Sequence, residues 1–98
     1  MNVNEQPALQ VRLRSRRVQR ELDSLQEGDY QRVVATLRVL ANQPRPRGCE
    51  KLYDHVYRVR VGDIRIIYLI DKGNKRIDVG GIRRRSERTY KGIEGLFR

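Results

Sequence analysis

Arginines carry most of what this chain can do chemically. Arg58 and Arg60 alternate with Tyr57, Val59 and Val61, and Arg65 follows after Gly62-Asp63. Such alternation is the period of a half-buried strand, and Gly-Asp suits a two-residue turn because glycine tolerates positive φ. A regular hairpin closed there pairs Val61 with Ile64, Arg60 with Arg65, Val59 with Ile66 and Arg58 with Ile67. Three arginines then share one face. Like charges directly opposite each other weaken a hairpin in which matched pairs contribute roughly 0.2–1 kcal/mol. A polyanion bound between them would relieve that repulsion, as would guanidinium groups splayed into water. A second basic run, Arg83-Arg84-Arg85-Ser86-Glu87-Arg88-Thr89-Tyr90, reads either as a solvated terminus or as a strand end returning beside the hairpin. In the second case Tyr90 adds an aromatic surface suited to an unstacked base.

Other chemistries are poorly supplied. The single histidine, His55, has no Ser/His/Asp or Cys/His set around it in chain order, and reads as a turn or surface residue. No His, Cys and carboxylate spacing suggests a metal site, no cofactor is implied, and Cys49 reads as inert. A metal-free arginine cluster with a tyrosine can bind RNA and can speed its cleavage, because the 2′-hydroxyl is a built-in nucleophile. The protein then aligns that hydroxyl and stabilises charge on the phosphate. Arginine cannot serve as the proton acceptor, since its pKa lies above ~12.

The elements that must position these residues can be read in order. Residues 1–7 are polar and lack a period, which predicts a disordered N-terminal segment, with residues 8–98 as a single domain. Leu9, Val11 and Leu13 suggest a first strand. Ser15 can cap a helix striped with Val18, Leu22 and Leu25. Glu27-Gly28-Asp29 reads as the break, with Asp29 capping a second helix carrying Val33, Val34, Leu37, Leu40 and Ala41. Pro44-Arg45-Pro46-Arg47-Gly48 makes a stiff basic link into Lys51, Leu52 and the hairpin. Asp71-Lys72-Gly73-Asn74 is a second turn, and Arg76 to Ile82 a last strand whose Gly80-Gly81 suggests a bulge or close backbone approach. The expectation is an α+β fold, an N-terminal strand and helical hairpin on one face of a four-stranded, mostly antiparallel sheet.

Composition agrees with a basic domain. The chain has 98 residues, 38% of them apolar, and a formal charge of +10 from 18 arginines and 4 lysines against 12 acids. That is enough for one modest core. Arginine matches phosphate oxygens and stacks on bases, which favours nucleic acid or acidic protein partners; a GC-rich genome would raise arginine over lysine as well. No apolar run approaches the ~20 residues of a membrane span and no secretory signal is visible, so a cytoplasmic location without membrane association is expected.

The stretch YRVRVGDIRIIYLID, followed by IRRRSERTY and preceded by a helical hairpin, NQPRPRG and Lys51-Leu52, resembles the RelE/ParE toxin superfamily of bacterial type II toxin–antitoxin systems. For the RelE branch, the resemblance implies a ribosome-dependent mRNA endonuclease, neutralised by a cognate antitoxin in a hetero-oligomer. It implies Arg60, Arg65, Arg83 and Tyr90 as catalytic residues. Arg65 and Arg83 would stabilise the scissile phosphate and Tyr90 would orient the base. Lys51, Arg58, Arg84 and Arg85 would contact RNA. The best-known RelE pattern has lysines where Arg58 and Arg60 stand, and a shifted alignment of the tail gives Arg84 or Arg85 the role of Arg83. The ParE branch implies instead a non-enzymatic inhibitor of DNA gyrase. A basic nucleic-acid-binding module is the third reading.

Overall fold

The computed structural model describes residues 9–85 and 93–97; the expected N-terminal segment 1–7 lies outside them. Strand β1 (Gln10–Leu13) leads into helices α1 (Arg16–Asp23) and α2 (Glu27–Asn42), then strands β2 (Glu50–Tyr53), β3 (Val56–Val61), β4 (Ile64–Asp71) and β5 (Arg76–Arg84), and a 3₁₀ turn at Ile93–Phe97. The strands form one sheet in the order β1-β5-β4-β3-β2. All neighbours are antiparallel except β1, which runs parallel to β5.

The fold is α+β as expected, with five strands rather than four. The additional strand is β2, Glu-Lys-Leu-Tyr, a short edge whose register shifts between Lys51 and Tyr53. Its residues show no clean alternation because the strand is exposed along half its length. The helix break also differs from expectation: α2 already begins at Glu27, so Gly28 and Asp29 sit in its first turn. The Tyr30 amide donates to Gln26 O at 2.8 Å, which sets the helix start. Acids in that turn favour the helix dipole. Ser15 does stand at the N-cap of α1 with extended backbone, but its hydroxyl makes no capping bond.

The two helices cover one sheet face. Val18, Leu22, Val33, Leu37 and Leu40 meet Tyr57, Val59, Val61, Ile64, Ile66, Tyr68, Ile70, Ile77, Val79 and Ile82 in the main core. At roughly 1.5–3 kcal/mol per fully buried large side chain, this layer outweighs anything on the far side. There the buried cluster is Val56, Ile67 and Leu96, flanked by Leu52, Tyr53, Leu69 and Phe97. Leu96 and Phe97 thus lie against the face opposite the helices. Gly80 makes this possible, since a Cβ there would come within 2.5 Å of the Phe97 ring. The Arg14 guanidinium lies over that ring at 5.6 Å and is itself paired with buried Asp78.

Candidate functional site

The β3–β4 hairpin has the register that alternation and the Gly62-Asp63 turn require. Val61 pairs with Ile64, Arg60 with Arg65, Val59 with Ile66 and Arg58 with Ile67, and Gly62 takes φ +58°. Strand β5 then adds Arg83 opposite Arg65. Arg60, Arg65 and Arg83 therefore form a single row across three strands on the face away from the helices. A bulge brings β5 into this phase: Ile67 pairs with Gly81 but Tyr68 pairs with Val79, leaving Gly80 as the extra residue. Arg58 lies on the same face one row along, about 7 Å from Arg60 at ~3.4 Å per residue.

The arginines are held differently. Arg60 is exposed, Arg83 half-buried, and Arg58 and Arg65 are only 6% and 8% exposed. Splaying into water thus describes Arg60 and neither of its buried neighbours. Arg58 is ion-paired with Glu50 of β2, as a buried cation requires. Arg83 Nε stands 3.6 Å from a Glu21 carboxylate oxygen. Arg60 and Arg65 have no carboxylate within ion-pair distance among the described residues. The row thus retains positive charge at Arg60 and Arg65, and two arginines paired across adjacent strands suit an oxyanion.

The remaining sequence-derived residues scatter. Lys51 pairs with Tyr57, whose ring belongs to the helix-side core, so Lys51 lies on the other face from the row. It lines a depression with Arg45, His55 and Lys72 at the far end of the strands. Arg84 pairs with Ile64 and turns to the helix side, 3.8 Å from the Asp29 carboxylate. Arg85 is exposed beyond the strand end, its amide donating to Asp63 O at 2.8 Å. Tyr90 lies outside the described residues.

A model of the ParE toxin of type II toxin–antitoxin systems matches residues 12–89, most of the chain. The chain belongs to this family. The RelE/ParE superfamily is also visible in three dimensions. The RelE–RelB complex of Pyrococcus horikoshii contains a chain similar to this one at 28% identity and TM-score 0.74, with 82% of this chain and 98% of that one covered. The RelBE2 toxin–antitoxin complex of Mycobacterium tuberculosis is similar at 23% identity and TM-score 0.69, covering 82% and 100%. The isolated RelE toxin of E. coli shares the fold at 15% identity and TM-score 0.71, covering 91% and 96%. No curated protein sequence matches.

Within this ParE-family toxin, the residues that sequence reasoning passed over are acidic. Glu50 stands opposite Arg58 with its carboxylate more than half exposed, and Glu21 reaches from α1 to Arg83. Neither has a motif around it. Glu50 sits in a strand without alternation, and Glu21 is one more charged residue on an amphipathic helix.

Proposed function

We propose that this toxin is a ribosome-dependent mRNA endonuclease, held inactive by a cognate antitoxin. The observation that carries the reading is the row of Arg60, Arg65 and Arg83, of which Arg60 and Arg65 have no acidic partner among the described residues. Attack by a 2′-hydroxyl on the adjacent phosphorus loses the hydroxyl proton, breaks the bond to the 5′-oxygen, which leaves as a protonated 5′-hydroxyl, and yields a 2′,3′-cyclic phosphate. Negative charge builds on the phosphate oxygens on the way, and preorganised guanidinium groups stabilise it. Arg65 and Arg83 hold the scissile phosphate, and Arg60 the neighbouring backbone. Arg58, one row along, and Arg85 at the strand end extend the RNA contacts, and Tyr90 stacks on the base, whereas Lys51 and Arg84 face the helix side and lie off this path. Proton removal requires a group other than arginine; Glu50, exposed beside Arg58, is the carboxylate one row away from Arg60. The antitoxin reading is supported by the similar structures from Pyrococcus horikoshii and Mycobacterium tuberculosis, both toxin–antitoxin complexes. A charge of +10 suits an acidic antitoxin segment.

The second reading, a non-enzymatic inhibitor of DNA gyrase, is favoured by the match to the ParE toxin model. One pair of assays separates them. The nuclease is expected to cut mRNA on programmed ribosomes while sparing free RNA. Intact message at stoichiometric protein, together with loss of supercoiling by gyrase, would establish the gyrase reading instead.

A further inference from the structure

Strand β1 covers only part of β5. Its register ends with Leu13 opposite Val79, and the Arg14 amide makes the last ladder bond, to Val79 O at 2.9 Å. From Gly80 to Arg84, β5 has β4 on one side and, among the described residues, no strand on the other. Bare strand edges are free to twist or to pair elsewhere. Arg83 stands on this half of β5, whereas Arg65 is paired on both sides, with Arg60 of β3 and with Arg83 itself.

Helix α1 supplies side chains where the strand is missing. Arg17 Nη2 donates to Gly80 O at 2.9 Å. Glu21 Oε1 accepts from the Ile82 amide at 2.9 Å. The two side chains bond to each other, Arg17 Nη1 to Glu21 Oε2 at 2.9 Å, one helical turn apart. The same Oε2 lies 3.6 Å from Arg83 Nε. A guanidinium presents five N–H donors in a fixed planar fork, so with Nε turned to Glu21 the two terminal nitrogens remain for an anion.

We propose that Glu21 is a positioning residue for Arg83, which rests on reading the arginine row as the phosphate site. One oxygen fixes the strand edge through the Ile82 amide, and the other sets the direction of the Arg83 fork. Arg17 completes the clamp by holding both Glu21 and the Gly80 bulge that brings β5 into phase with Arg65.

Glu21→Gln separates the two functions, because the amide keeps an oxygen for Ile82 and loses the charge facing Arg83 and Arg17, while the Arg17 bond to Gly80 O does not depend on it. On programmed ribosomes it is expected to lower cleavage about 10- to 100-fold, the loss typical of a displaced catalytic group, with no further loss in an Arg83→Ala background. An unchanged rate, or an equal fractional loss in that background, overturns the proposal. NMR of the same variants gives a readout independent of cleavage. In Glu21→Gln, the Arg83 Nε–H resonance is expected to move while the Ile82 amide keeps its protection from exchange; in Glu21→Ala both change. An Arg83 resonance that stays in place in Glu21→Gln overturns the proposal. If the parent toxin cuts no message, the nuclease reading fails by itself, and the NMR comparison still decides whether Glu21 orients Arg83.

Discussion

Arg65 and Arg83 face each other across β4 and β5, yet they are held by different means, and their substitutions should differ accordingly. Arg65 is 8% exposed with no acidic partner among the described residues, whereas half-buried Arg83 has Glu21 at 3.6 Å. Replacing either with alanine is expected to lower message cleavage at least ~100-fold if both stabilise charge in the transition state. Only Arg65→Ala should also change thermal unfolding appreciably, because it vacates buried space. A full cleavage rate in a folded Arg83→Ala variant would remove that residue from the site. Tyr68 is the other residue whose environment makes a definite prediction. Its hydroxyl donates to Pro44 O at 2.7 Å, its ring stacks on Tyr57 with centroids 6.0 Å apart, and it ties the proline-containing link to the sheet. Burial above all, with Cys49 beside it, raises its pKa well above the ordinary 10.0. The neutral phenol is thus the form that the fold favours. This contribution is fully present below about pH 10 and is lost as pH rises toward the folded-state pKa. Tyr68→Phe should cost about 1 kcal/mol near neutral pH through the missing hydrogen bond, and unfolding curves above pH 10 should fall less steeply than in the parent.

Among the elements, those with a clean period were legible in the sequence and those held by long-range contacts were not. Alternation through Tyr57–Val61 with Gly62-Asp63 fixed the β3–β4 register residue by residue, because a one-residue slip would expose every apolar side chain. The stripes of α1 and α2 were equally plain. Edge strand β2 was hidden by its irregular register, and the start of α2 by a glycine that an exposed first turn tolerates. Of the site, Arg60 opposite Arg65 could be paired from the turn alone. Arg83 required the β4–β5 register, and the burial of Arg58 and Arg65 depends on packing that no local pattern encodes. Gly80 shows the distinction best. The sequence suggests a bulge or a close approach, and both occur: the extra residue of β5 also seats Phe97. Gly80→Ala puts a methyl group into that ring, whereas the backbone can accept alanine because its φ is not left-handed. The ring should yield before the sheet does, losing its place under the Arg14 guanidinium. The expected outcome is a shift of the Phe97 ring resonances in NMR with a small change in melting temperature. A large drop in melting temperature with unchanged ring resonances would mean that the bulge, not the ring, requires glycine.

At the scale of the whole molecule, the question is whether affinity for RNA follows the total charge of +10 or the arginine row. A strongly basic domain attracts any polyanion, and that attraction weakens with salt in proportion to the phosphates neutralised, with a logarithmic slope near −0.7 per phosphate for single strands. Arg60 and Arg38 allow the two sources to be separated. Both are exposed, but Arg60 stands in the row on the face away from the helices and Arg38 on α2, in the layer on the other side of the sheet. Arg60→Gln and Arg38→Gln each remove one unit of charge. If net charge governs binding, the two variants lose affinity equally and keep similar salt slopes. If the row is the phosphate site, Arg60→Gln should bind a short single-stranded RNA more weakly and shift the slope toward zero by about 0.7, one phosphate contact, while Arg38→Gln stays near the parent. Titrations of both variants at several salt concentrations measure the difference directly. Equal slopes would reduce the row to one part of a diffuse basic surface and remove the main physical support for phosphate chemistry on this face.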